Sequence, residues 1–278
     1  PDIPSGSATL YYKDSLLIIG DDATSLYRLE LPHYHYTRYL IAGTDSTLRR
    51  ISKEQKMDLE AAVIDTINGK ECLLAFGSGS ISKKRDTMMM ASLRDLSDQR
   101  FFSLQRLYEF IRSETKTSLA DWNIEAAATS KEHLLLFNRG TNALIRINKK
   151  DFWYFLQSQQ MPAISSQPVQ LPAYKGHTPG ISGACTLENG ELLFCASIED
   201  TENWYDDGEV LGSYVGVINP VSGKLDRITL VNDETGVPLK IKLESLDVIK
   251  EADELLLVAA VADNDDGATV LLQLEISR

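Results

Sequence analysis

The stretch Asp58-Leu59-Glu60-Ala61-Ala62, an Asn68-Gly69 turn, and then ECLLAFGSGS (71–80) decides the fold. A short motif, a hairpin turn, an aliphatic run of strand length and a polar cluster describe two antiparallel strands. The same order recurs four more times. Ser5-Gly6-Ser7-Ala8-Thr9-Leu10 leads into DSLLIIGDD, ending at Asp22. Asn123-Ile124-Glu125-Ala126-Ala127 leads into HLLLFNRG, ending at Gly140. Ile181-Ser182-Gly183-Ala184 leads into ELLFCASIED, ending at Asp200. Leu243-Glu244-Ser245-Leu246 leads into ELLLVAAVAD, ending at Asp263. Counted from Ser5, Glu60, Glu125, Ser182 and Glu244, the steps are 55, 65, 57 and 62 residues. A near-constant period of strand-like content marks a repeat architecture.

Each copy has room for three or four strands. The first reads SATLYY, LLIIG, SLYRLEL and YTRYLIA, separated by Asp, Gly, Pro and Ser. A four-stranded antiparallel unit repeated about an axis is a β-propeller blade. The prediction is therefore an all-β chain, residues 1–278 forming a single propeller domain of five four-stranded blades with short helical insertions. Six blades is the alternative, if residues 99–118 or 153–174 hide an irregular one. Strands this evenly spaced leave no room for the crossover helices of an α/β sheet. Arg106–Glu114 reads as helix from Leu107, Phe110 and Ile111 on one face. DFWYFLQSQQ reads as a second, capped by Asp151. Both are predicted as rim decorations, and 161–172 as a loop. The last repeat lacks an outermost strand, and residues preceding Pro1 are expected to complete it, since an open ring leaves exposed edges.

Composition supports an ordered globular chain: 43% hydrophobic and 24% charged over 278 residues. The net charge of −12 argues against nucleic acid and anionic membrane surfaces. Apolar runs are too short for a membrane span, and the chain reads as a monomer. Cys72, Cys185 and Cys195 sit in apolar runs and read as buried free thiols. A two-residue Asn189-Gly190 loop would pair Cys185 with Phe194 and turn Cys195 to the other face, so no disulfide is expected. The opening PDIPSG carries no Met and no signal pattern, which suggests a processed or trimmed product.

If each motif starts an innermost strand, Glu60, Glu125 and Glu244 converge at one end of the central channel. Three carboxylates that close repel unless neutralised. Two readings stand. A hard divalent cation such as Ca²⁺ neutralises them, with Asn123 as a further oxygen ligand, or each Glu hydrogen-bonds the neighbouring blade. The second strands return to the same rim, bringing Asp21, Asp22, Ser78, Ser80, Asn138, Arg139, Glu199, Asp200 and Asp263 around the opening. That mixture suits a small polar or anionic ligand. Arg85 and Arg139 either grip its anionic group or pair with rim carboxylates. The insertion 201–207 carries Trp204 and Tyr205, read as a flap beside the mouth, with packing of Trp204 onto the blade as the alternative. Asp263–Gly267 reads as an acidic hairpin turn rather than a calcium loop. His33 and His35 have no third ligand nearby. No GxSxG elbow, phosphate loop or dinucleotide fingerprint is present.

The Ser-Gly and x-x-Glu openings, together with GDD, GSGS, NRG and SIEDTENWYDDGEVLGSYVG, resemble those of esterase-like phytase domains and their uncharacterised bacterial propeller relatives. More distantly, the openings with Glu60, Glu125 and Glu244 are similar to the senescence-marker and gluconolactonase propellers, whose early Glu holds a divalent metal in the channel. The openings at Ser5-Gly6 and Ser182-Gly183 lack that carboxylate. The resemblance implies a bacterial protein, of cytoplasm or periplasm. Two function classes follow: a metal-assisted hydrolase of a phosphoester, ester or lactone, and a non-catalytic propeller that binds a small ligand or protein.

Overall fold

In the computed structural model, which describes residues 3–200, 208–263 and 269–278, consecutive strands pair in chain order within each repeat. The first blade is β1 (Gly6–Tyr12), β2 (Ser15–Gly20), β3 (Ser25–Glu30) and β4 (His35–Leu40). The second is β5 (Leu59–Ile67), β6 (Lys70–Gly77), β7 (Thr87–Ser92) and β8 (Asp95–Ser103). The third is β9 (Ile124–Thr129), β10 (His133–Asn138), β11 (Ala143–Asn148) and β12 (Ile164–Pro168). The fourth is β13 (Gly180–Thr186), β14 (Leu192–Asp200), β15 (Glu209–Ile218) and β16 (Leu225–Leu230). The fifth is β17 (Leu243–Glu251), β18 (Leu255–Asp263) and β19 (Thr269–Ser277).

Tight turns follow from residues that tolerate positive φ. Lys13 and Asp14 sit at φ 46 and 58, and Asn68 and Gly69 at 50 and 76. Both positive values are what a two-residue hairpin loop requires.

Each first strand packs beside the first strand of the next blade, and β17 packs beside β1, so the ring closes as a five-bladed β-propeller. The closing seam is stitched by side chains. Thr9 N donates to Ser245 Oγ at 3.1 Å, and Tyr11 N to Asp247 Oδ2 at 2.7 Å. Apolar cores fill the spaces between adjacent blades. That follows from strands buried on both faces, such as Ser15–Gly20.

Several expectations need correction. No sixth blade is found among the described residues: β8 is the second blade's own fourth strand, and Ile164–Pro168, expected as loop, is the third's. The helices α1 (Gln105–Thr115) and α2 (Lys149–Ser158) are more than rim decoration. Leu107, Tyr108 and Ile111 join Phe152 and Phe155 in the core between blades two and three. Asn148, not Asp151, caps α2, its side chain accepting from Lys150 N and Asp151 N. The hairpin after β13 closes with Leu187 opposite Glu191, so Cys185 faces Leu193. Cys185 and Cys195 then share one face, in the same core cluster. They stay free because Cys195 lies opposite Gly183, two residues along the strand.

Candidate functional site

Every blade begins with the same irregularity. Partners of the second strand skip from Gly6 to Ala8, Leu59 to Ala61, Ile124 to Ala126, Ile181 to Gly183 and Leu243 to Ser245. The bulged residues are Ser7, Glu60, Glu125, Ser182 and Glu244. The equivalent in blade one is therefore Ser7 and not Ser5. A bulge leaves one residue unpaired and re-aims its side chain, and bulges recur beside functional sites. Because the bulged strands are innermost, the three glutamates gather at one end of the channel. Glu125 repels both Glu60 and Glu244 there.

Two ion-pair clusters form around them. In the first, Lys56 Nζ bridges Asp21 and Asp58, lying 2.5 Å from Asp58 Oδ1. Arg85 Nη1 contacts Asp58 Oδ2 at 2.8 Å and donates to Ser80 Oγ at 2.9 Å. Ser78 Oγ donates to the same Asp58 carboxylate. Carboxylate oxygens of Asp21, Asp58 and Glu60 lie within 4.8 Å of one another. Asp22 stands slightly apart, paired with Arg50 Nε at 2.7 Å.

In the second cluster, Arg139 spans the gap between blades three and four. Its Nη1 meets Glu125 Oε2 at 2.7 Å, and its Nη2 donates to Ser197 Oγ at 2.9 Å and to Glu199. Lys242 Nζ lies 3.2 Å from Glu199 Oε1 and 3.5 Å from Glu244 Oε1. Asn123 Nδ2 donates to Glu125 Oε1 at 2.6 Å.

Burial and charge set the protonation. Burial, then Asp58 and Asp21, pushes the Glu60 carboxyl well above the usual carboxylate range. Burial, reinforced by Glu125 and Glu199, pushes Glu244 up to about 8. Burial also raises Glu125 against the pull of Arg139. Asp58 goes the other way: burial opposes it, but Lys56 and Arg85 hold its carboxyl low.

The structure thus brings together Glu60, Glu125, Glu244, Asn123, Asp21, Arg85, Arg139 and Glu199. Both arginines are engaged in rim salt bridges. Asn138 turns out to be a buried structural residue: its Oδ1 accepts from Asn123 N and its Nδ2 donates to Asp121 O. Asp200 lies outside the cluster, its side chain 60% exposed beside His177. Trp204 and the rest of 201–207 lie outside the described residues, as do residues 264–268, which hold most of the expected acidic hairpin turn.

Sequence reasoning missed Lys56, Asp58, Lys242 and Arg50 as site residues. Lys56, Asp58 and Glu60 lie two residues apart, as do Lys242 and Glu244, and Asn123 and Glu125. Strand alternation does not account for their meeting, because Asp58 sits at φ 58 and each glutamate is the bulged residue of its strand.

Residues 2–276 match the family of unknown function DUF6929. The chain belongs to that family. No curated protein matches it. Among solved structures it is similar to the major allergen Mala s 1 of Malassezia sympodialis, at 10% identity and TM-score 0.55, covering 99% of this chain and 94% of the allergen. It is also similar to the glutaminyl cyclase of Myxococcus xanthus, at 11% identity and TM-score 0.49, covering 100% and 95%. Virginiamycin B lyase of Staphylococcus aureus matches at 9% identity and TM-score 0.45, covering 98% and 96%. Identities this low speak to the fold alone. No helix among the described residues is long and apolar enough to cross a membrane.

Proposed function

We propose that this DUF6929 chain is a non-catalytic binding module whose channel mouth takes a small polar ligand. The observation that supports it is the pairing of the axial carboxylates. Lys56, Arg85, Arg139 and Lys242 pair with Asp21, Asp58, Glu125, Glu199 and Glu244. Glu60, unlike these five acids, makes no hydrogen bond or ion pair to a described residue. Burial pushes the Glu60 carboxyl up, and its protonated form donates as well as accepts. Glu60 therefore suits a hydroxyl, amide or amine group. An anionic ligand fits less well, because Arg85 and Arg139 already hold carboxylates.

The metal-assisted hydrolase is the second reading. The proximity of Asp21, Asp58 and Glu60 favours it. The donor set fits a divalent ion poorly, because the Lys56 ammonium bridges two of the three acids and an ion there must displace it. Isothermal titration of polyols, amino acids and amines against the protein and Glu60→Gln separates the readings. The module reading requires binding that Glu60→Gln weakens by about tenfold, the scale of one buried hydrogen bond. Turnover of a phosphoester, ester or lactone that depends on added divalent ion contradicts it.

A further inference from the structure

Charge is sorted unevenly over the mouth end of the propeller. Seven of the chain's 28 lysines and arginines lie in two short loops, 49–56 and 81–85, where Glu54 is the single acid. The first loop leads from blade one into β5, and the second joins β6 to β7. The loops are tied to each other. Arg85 Nη2 donates to Lys53 O at 3.3 Å, and Lys84 Nζ to Glu54 O at 3.1 Å. Each is also closed on itself. Gln55 N and Lys56 N donate to Ser52 O, Lys84 N and Arg85 N to Ile81 O, and Lys83 N to Asp86 Oδ2 at 3.0 Å. A platform braced in this way loses little freedom when a partner arrives.

The cations divide by direction. Arg50, Lys56 and Arg85 reach the acids of the channel mouth, pairing with Asp22, Asp21 and Asp58. Lys53, Lys83 and Lys84 are exposed, and none of them forms an ion pair with a carboxylate among the described residues. Glu54, next to Lys53, is held by its own amide and the Ser52 hydroxyl. Ile81, 43% exposed, places an apolar side chain in the same turn as Lys83 and Lys84. Ammonium groups gathered on one platform repel each other, and an anionic partner relieves that repulsion.

We propose that this platform docks an acidic, extended segment of a partner protein, its carboxylates meeting Lys53, Lys83 and Lys84 and one apolar side chain covering Ile81. The choice of cation favours a row of carboxylates over a single phosphate. A lysine is a point charge on a flexible stem, whereas compact recognition of phosphate draws on the planar fork of an arginine. The fork of Arg85 is already taken by Asp58, Ser80 and Lys53 O. Nucleic acid and anionic bilayers fit worse. Their charge extends far past the platform and meets the acidic remainder of a chain whose net charge is −12. A short acidic segment covers the lysines and little else. The proposal does not depend on the channel-mouth reading.

A short labelled peptide of Asp and Glu with one central Leu tests it by fluorescence anisotropy. We expect saturable binding that weakens as salt is added. The triple variant Lys53→Glu, Lys83→Glu, Lys84→Glu, all at exposed positions, should weaken it by about tenfold or more. Ile81→Ser should weaken it severalfold with no change in its salt dependence. The control triple Lys70→Glu, Lys131→Glu, Lys150→Glu makes the same change in net charge at exposed positions on the opposite end of the propeller, and it should bind as the wild type does. Four results overturn the proposal. They are no saturable binding at millimolar peptide, equal weakening by the two triple variants, a short single-stranded RNA that binds more tightly than the peptide at the same salt, or a concentration-dependent dimer that the platform triple abolishes, which would make the occupant a second copy of this chain.

Discussion

The two halves of the channel mouth solve one problem with different cations. On the side of blades one and two, a lysine sits between Asp21 and Asp58, with Arg85 behind it. On the side of blades three, four and five, a single guanidinium joins Glu125 to Glu199, and Lys242 joins Glu199 to Glu244. Arg presents a planar fork that fixes two acceptors at once, whereas Lys is a point charge on a flexible stem. The second half is therefore a cross-blade brace. The first half is the adaptable one, and it is where Glu60 is left without a direct partner. The bulged residues of blades one and four need no cation, because they are Ser7 and Ser182, which bond to backbone carbonyls.

That contrast makes Arg139 the most sensitive position. Arg139→Met leaves Glu125 and Glu199 buried with their main partner gone. We expect a loss of about 3–5 kcal/mol in urea unfolding, the scale for breaking a buried pair. A loss below about 1 kcal/mol would dissolve the distinction between the halves. Lys56→Met should cost less, because Arg85 still holds Asp58. It should also create a Ca²⁺-dependent rise in melting temperature through Asp21, Asp58 and Glu60, which we expect the native chain not to show.

The fold was legible in the sequence because each blade repeats a bulge motif before an aliphatic run, and the period survives insertions. Glu60, Glu125 and Glu244 were legible for the same reason. Of the cations, Arg85 and Arg139 were legible as residues that grip a ligand or pair with rim carboxylates, and they pair; the lysines were not legible. Lys56 and Lys242 precede their motifs as ordinary-looking lysines, and it is the left-handed turn at Asp58 and the bulges at Glu60 and Glu244 that bring lysines and acids together. Arg139 braces blades whose relative placement no local pattern encodes. The strand Ile164–Pro168 was hidden because an outermost strand is half exposed and ISSQP has almost no apolar alternation. The Asn189-Gly190 hairpin misled by one residue because Gly190, at φ 86, closes a three-residue loop, and that slip exchanged the faces of the cysteines.

Titration sharpens the comparison further. Glu244 has a folded value of about 8 against about 4.3 for an unfolded chain. Its protonated form is the one the native state favours. Its contribution is full below the unfolded value and is lost as pH rises towards 8. We expect Glu244→Gln to flatten the fall in melting temperature between about pH 4.5 and 8, and an unchanged slope would remove Glu244 as its source. The smallest effect belongs to the serine blades. Ser182→Ala deletes a buried hydrogen bond to Leu243 O and should cost about 1 kcal/mol, with no change in pH dependence.

The central claim is that the chain's own lysines and arginines neutralise its axial carboxylates. Thermal unfolding of the wild-type protein after exhaustive chelation, and again with millimolar Ca²⁺, Mg²⁺ or Mn²⁺, tests it most directly. We expect the midpoint to stay where it is under all four conditions. A rise of several degrees with one of these ions, abolished by Glu60→Gln, would contradict the account and make the channel mouth a metal site.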